Sequence, residues 1–226
     1  MKSIDLLLYL KRNKITVFRT SDIAKITKKP LSYTKSVIGR IPGIKKAEKG
    51  LYFIDEATIY EIASNFVPFS YVSMLSALKY YELTTQMPVV IDVVSPKKHR
   101  PVMVEGYKIK FDVLKSSLIF GFVRRGNAFI ASPEKAILDS LYAGNYAYLD
   151  EVLETGFREK IINKDLLVKY AILFNKKTLL NKLGFFLDFY AGVSLPELLK
   201  IKSKNPVYLI KNANSYNKKW GVYYGK

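Results

Sequence analysis

Apolar positions recur at helical spacing through residues 3–12, where Ile4, Leu7, Leu8 and Lys11 define one stripe and predict a first helix. Thr20 or Ser21 offers an N-cap for a second helix running through Ile26, with Asp22 suited to the positive end of its first turn. After Lys28-Lys29-Pro30, Ser32 can cap a third helix from Tyr33 to about Ile41, which Pro42-Gly43 ends. The following IKKAEKGLYFI reads as two short strands around a turn at Glu48-Lys49-Gly50. Three short helices and a hairpin within 54 residues predict a winged helix-turn-helix. Ala24 is small where two motif helices must approach, and Val37 and Ile41, four apart, can reach a core from the third helix. The N-terminal half of that helix is the part that meets base edges in such motifs.

Beyond residue 55 the pattern changes. Helices are expected over 57–66 and 71–82, and strands over 88–95, 102–111, 117–124 and 127–131, the last three continuing as a β-rich meander. Ser132-Pro133-Glu134 supplies a cap, a proline at the first helical position and an acidic first turn, so a helix opens there and carries Ala136, Ile137, Leu138 and Leu141. The last third is mainly helical, with Leu179, Leu183, Phe186, Leu187 and Tyr190 on one stripe and closing strands at 206–210 and 220–224. The expected fold class is therefore α+β: a winged helix-turn-helix over 1–54 and a mixed α/β body over 55–226, with a β-meander and a helical C-terminal part.

Charge sharpens this picture. Among 226 residues, 37 Lys and Arg face 19 Asp and Glu, a formal net charge of +18. Residues 1–54 hold thirteen basic against three acidic side chains, 55–150 hold ten of each, and 151–226 hold fourteen against six. A short, strongly basic segment ahead of a neutral one points to a polyanionic partner, nucleic acid above all. The absence of cysteine excludes disulfides, thiolate nucleophiles and Cys-based zinc sites. The apolar run from Ile4 to Leu10 is broken by Asp5 and lacks a cleavage signature, and 62–78 is interrupted by Asn65, Pro68 and several serines. Neither is expected to act as a signal peptide or a membrane span, and a cytoplasmic location is expected.

The candidate DNA contacts follow from these elements. Ser32, Tyr33, Thr34, Lys35, Ser36 and Arg40 would present hydroxyl, aromatic and cationic groups to the major groove and its phosphates. Lys45, Lys46 and Lys49 would line the wing, and Lys28 and Lys29 the turn between the motif helices. The bland alternative is a solvated polar face, with wing lysines guarding a strand edge. Tyr216, Trp220, Tyr223 and Tyr224 stand among basic residues and could stack on single-stranded bases, although core packing with hydroxyls reaching the surface is the commoner use. His99, the single histidine, sits in SPKKHRP with no acidic neighbour in sequence and reads as a surface residue. No catalytic residue, metal site or cofactor is expected.

Three stretches together carry a resemblance: the hairpin ending KGLYFI (49–54), YVSMLSALKYYELTTQMP (71–88) and IASPEKAILDSLY (130–142). Over roughly residues 1–145 the chain resembles the AbiEi family of antitoxins from abortive-infection toxin–antitoxin systems. The resemblance implies a repressor that binds operator repeats in double-stranded DNA through its winged helix. It also implies a body that counteracts a nucleotidyltransferase-like toxin encoded nearby. The alternative is a stand-alone winged-helix transcription factor whose body binds a ligand or dimerises. In the body motifs, Ser73, Ser76 and Ala77 read as small residues that let a helix pack closely.

Overall fold

A computed structural model describes residues 3–225, a mixed α+β protein with ten α-helices and three sheets among those residues. The first 54 residues form α1 (Ser3–Arg12), β1 (Val17–Arg19), α2 (Thr20–Thr27), α3 (Leu31–Ile38), β2 (Ile44–Glu48) and β3 (Leu51–Ile54). The three strands make an antiparallel sheet in the order β1-β3-β2. Strand β1 was not foreseen; three residues are too few to show a period, and its partner lies 34 positions later in the chain.

On α1 the buried side chains are Leu6 and Leu10, whereas Leu8 is half exposed and Lys11 pairs with Glu56 at 2.5 Å. The stripe expected through Leu7, Leu8 and Lys11 is thus rotated by about one position; the side chain of Ile4 lies outside those described. Caps also differ. Helix α2 begins at Thr20 itself, and the N–H of Arg19 is met by Asp22 Oδ2 at 2.8 Å, so neither Thr20 nor Ser21 is the cap.

Strand β3, Leu-Tyr-Phe-Ile, is buried at all four positions. Alternation explains this: Tyr52 and Ile54 join Leu6, Leu10, Phe18, Ile23, Ile38 and Ile41 in a small core, while Leu51 and Phe53, with Val17, enter the large core of the body. Polar ties reinforce the seam. Arg19 Nη2 donates to the carbonyl oxygens of Asn65 and Phe66, both at 2.8 Å, and Asn127 Nδ2 donates to Lys14 O at 2.6 Å.

The body continues with α4 (Ile59–Ser64), β4 (Tyr71–Val72), α5 (Met74–Tyr80), β5 (Val90–Ser95), β6 (Val102–Val104), β7 (Tyr107–Val113), β8 (Phe122–Arg125) and β9 (Ala128–Ala131). These six strands form one sheet, β6-β7-β5-β4-β9-β8, in which β5 runs parallel to β7 and β4 parallel to β9. A simple meander is therefore excluded. The helix expected from 71 also starts later, because Tyr71 and Val72 extend between β5 and β9 before α5 begins. Ser73 and Ser76 do more than allow close packing: Ser73 Oγ donates to Asp139 Oδ2 at 2.7 Å, and Ser76 Oγ donates to Val90 O at 3.2 Å while accepting from Asp92 N at 2.9 Å.

Helix α6 (Pro133–Ala143) opens as expected, with Ser132 Oγ accepting from Lys135 N and Pro133 in the first turn. Ala136, Ile137, Leu138 and Leu141 are buried, and so are Glu134, Lys135, Asp139 and Ser140. Helices α7 (Leu149–Arg158), α8 (Lys164–Phe174), α9 (Lys177–Phe186) and α10 (Pro196–Leu199) follow. Helix α9 continues into a π-helical turn, Leu187–Ala191. Strands β10 (Val207–Tyr208), β11 (Ser215–Asn217) and β12 (Val222–Tyr224) form the third sheet, in the order β10-β12-β11, with β10 parallel to β12. Strand β11 had no counterpart in the expected pattern.

Burial pushes the Asp92 carboxyl from its ordinary 3.8 up to about 6. A group whose folded pKa lies above its unfolded value binds its proton more tightly when folded, so its contribution is favourable below pH 3.8 and is lost as pH rises to about 6. Asp92→Asn should therefore be more stable than the parent above that range, by about 2–3 kcal/mol, and no more stable at pH 3.5. Urea unfolding at both pH values checks this; equal stability at neutral pH would refute it.

Candidate nucleic-acid interface

Helix α2 closes at Lys28 in a left-handed conformation with φ 53°, and Lys29 N–H donates back to Ala24 O at 3.3 Å. Pro30 then starts α3 without needing a donor partner, and its carbonyl accepts from both Thr34 N and Thr34 Oγ1 at 3.0 Å. The helix thus begins at Leu31 rather than Tyr33, and Ser32 lies in its first turn instead of capping it.

This start decides which side chains face outward. Thr34 is buried at 2% exposure, with its hydroxyl spent on Pro30, and is not at the surface as expected. Ser32, Tyr33, Lys35 and Ser36 are exposed along α3, Arg40 lies just beyond its end, and Lys28 and Lys29 are exposed at the turn before it. Leu31, 58% exposed, belongs to the same outward face and was missed, because an apolar residue at a helix start reads as core.

The hairpin divides its cations by register. Lys45 lies opposite Phe53, hence on the side facing the body, and its ammonium meets Asp55 at 3.2 Å and Glu105 at 3.3 Å. The Asp55 hydrogen bond, then that to Glu105, hold the Lys45 pKa above its ordinary value. Lys46 lies opposite Tyr52, on the other side, and Lys49 is exposed at the turn. Among the described residues, none of Lys28, Lys29, Lys35, Arg40, Lys46 and Lys49 lies within 4 Å of a carboxylate, and the cations there are left to solvent. Lys45 thus departs from the expected set of free cations; its carboxylate partners, Asp55 and Glu105, are linked to the hairpin by no local pattern. If this surface grips duplex DNA, Lys45→Ala should change affinity less than about two-fold, and Lys46→Ala or Lys49→Ala should weaken it several-fold in an anisotropy titration at low salt. Equal losses at 45 and 46 would refute the division.

His99 is also corrected. Its Nε2 lies 3.1 Å from Glu48 Oε2, its Nδ1 lies 2.7 Å from Arg100 O, and its ring packs on Phe66 and Phe111. It fastens the hairpin to the body instead of standing free in solvent.

A cleft of about 660 Å³ opens between α5, the segment 83–88 and α7. Its Glu151 accepts from Thr84 Oγ1 and Thr85 N, both at 2.7 Å, and these bonds, the Thr84 hydroxyl first, hold the carboxyl below its ordinary range. Thr-x-Gln-x-Pro is thus tied down as a loop anchor. Among the described residues, no group of three or more His, Asp or Glu side chains is placed to hold a metal ion, and no helix is long and apolar enough to cross a membrane.

No family model matches this sequence, and no curated protein matches it. The crystal structure of the RV2827C protein from Mycobacterium tuberculosis is similar in fold, with a TM-score of 0.59 over 96% of this chain and 89% of that one, at 10% identity. At that identity the likeness concerns the fold alone.

Proposed function

We propose that residues 1–54 act as a winged helix-turn-helix reading double-stranded DNA, with α3 in the major groove and the β2–β3 hairpin as its wing. The observation that carries this is the outward face of α3. Leu31, Ser32, Tyr33, Lys35 and Ser36, flanked by Lys28, Lys29 and Arg40, form a surface with hydroxyl, aromatic and apolar groups for base edges and unpaired cations for phosphates. An ordinary solvated helix face has no need of exposed Leu31 and Tyr33 beside so many unpaired cations. On this reading the protein is cytoplasmic, is not an enzyme and requires no cofactor.

The body, 55–226, takes its role from the resemblance to AbiEi antitoxins: the protein represses its own operon and counteracts a nucleotidyltransferase-like toxin. The test is an anisotropy titration on the DNA upstream of its gene against scrambled duplex of equal length. Lys35→Ala/Arg40→Ala should weaken binding to both duplexes, with the slope of log affinity against log salt shallower by about 0.9 for each phosphate contact removed, while Tyr33→Ala should narrow the preference between them. Equal binding of both duplexes by the parent would overturn sequence reading. Co-expression with the neighbouring toxin gene tests the second half; unrelieved growth arrest would overturn it.

A further inference from the structure

The C-terminal sheet carries a second surface. Its inner side is fixed: Val207 and Val222 are buried, and Trp220, wholly enclosed, donates Nε1–H to Asp188 Oδ2 at 2.5 Å and receives Asn181 Nδ2 on its carbonyl at 2.6 Å. Tyr224 turns inward with Val222 and packs on Phe185 and Phe189. These two aromatics fulfil the expected core role.

The outer side is different. Tyr208 lies opposite Tyr223 in the parallel pair, and Tyr216 lies opposite Tyr223 in the antiparallel pair, so all three point the same way. Their rings form one stack across the strands, with centroids 4.5 Å apart at both steps and interplanar angles of 8° and 35°. Strands β10 and β11 are the sheet edges, so the outermost ring at each end keeps one face open; Tyr208 is 57% and Tyr216 49% exposed. Core packing leaves these rings unexplained.

The segment that carries the stack is basic. No Asp or Glu follows Glu197 in the sequence, while Lys200, Lys202, Lys204, Lys211, Lys218 and Lys219 all do. Only Lys219 is within 4 Å of a carboxylate, Asp188, among the described residues. Lys202 Nζ and Tyr216 Oη approach the same point beside Gly221, each 3.9 Å from where a Cβ would stand.

We infer that this face binds single-stranded nucleic acid, with unpaired bases extending the tyrosine stack at its open ends and the lysines meeting the phosphates. A duplex hides its base faces and could use only the lysines, whereas a single strand can use both groups.

The test uses the full chain and three fluorescein-labelled 12-mers: oligo-deoxythymidine, oligo-uridine, and an abasic strand with the same phosphates. Both base-bearing strands should bind at least ten-fold more tightly than the abasic one, and their ratio tells whether RNA or DNA is preferred. Tyr208→Ala/Tyr216→Ala should lose on the order of ten-fold per ring, while Tyr208→Phe/Tyr216→Phe, which keeps the rings, should bind as the parent does. Lys35→Ala/Arg40→Ala, which tests the duplex surface, should leave single-strand binding unchanged, so the two readings fail separately. Equal affinity for the abasic strand, or full retention by the alanine variant, would overturn the inference. Trp220 emission and urea unfolding check that the alanine variant is folded; if it is not, the abasic comparison on the parent still decides.

Discussion

Removing Asp139 alone, as Asp139→Ala, is expected to cost about 3–5 kcal/mol of stability, because it strands a buried ammonium. Asp139 and Lys135, four apart on α6, are both completely enclosed and paired with each other. Asp139 Oδ2 accepts from Ser73 Oγ at 2.7 Å and Tyr71 Oη at 3.1 Å, and the ammonium lies over the rings of Tyr71, Phe120 and Phe174 at 5.5, 4.9 and 4.8 Å. Burial pushes the Asp139 carboxyl up and the Lys135 ammonium down; each partner opposes the other's neutralisation. Lys135→Met/Asp139→Asn, which removes both charges and keeps an acceptor for Ser73 and Tyr71, should lose far less than the two single changes together. A double-mutant cycle by urea unfolding measures the coupling; additive losses would show that the pair is not one unit.

Gly184→Ala is expected to be the second most damaging change. An added Cβ would overlap three atoms of the six-membered ring of Trp220. That indole cannot slide away: its Nε1–H is held by Asp188, its carbonyl by Asn181, and its N–H by Asn217 Oδ1 at 3.0 Å. Gly156→Ala meets Cδ1 and Cγ1 of Ile162, an aliphatic side chain that can change rotamer, and comes within ordinary contact distance of Leu83 Cδ2. About 3 kcal/mol at 184 against about 1 at 156 is the expected contrast. Trp220 is the single tryptophan, so its fluorescence reports directly on the disturbed contact. An unshifted emission maximum with unchanged stability at 184 would contradict this packing.

Local signals were legible where a cap and a period agreed. Ser132-Pro133-Glu134 fixed the start of α6, and Leu179, Leu183, Phe186 and Leu187 of the expected stripe lie buried on α9 and its π-helical extension, while Tyr190, expected on the same stripe, is 39% exposed. Signals that depend on distant partners were not. The parallel pairing of β4 with β9 joins residues 58 positions apart, and no alternation within either strand encodes it. Pro-Glu-Lys-Ala looked like a helix start alone, yet Glu134 Oε1 receives Asn163 N at 2.8 Å and Lys135 pairs with Asp139 one turn later. The exposure of Lys35 follows from the helix that carries it, whereas the ion pairs of Lys45 with Asp55 and Glu105 follow from no local pattern, the second partner lying 60 residues away.

Strand β3 has a consequence for heredity as well as for stability. A segment whose odd residues complete one core and whose even residues complete another cannot be moved as a cassette. Fusing residues 1–54 to a foreign body would leave Val17, Leu51 and Phe53 facing water, and grafting a different N-terminal unit onto 55–226 would leave the large core open. If α3 reads DNA as proposed, changes in its preference fall to point changes among exposed residues such as Lys35 and Ser36, while exchange of whole modules at this seam is penalised from both sides.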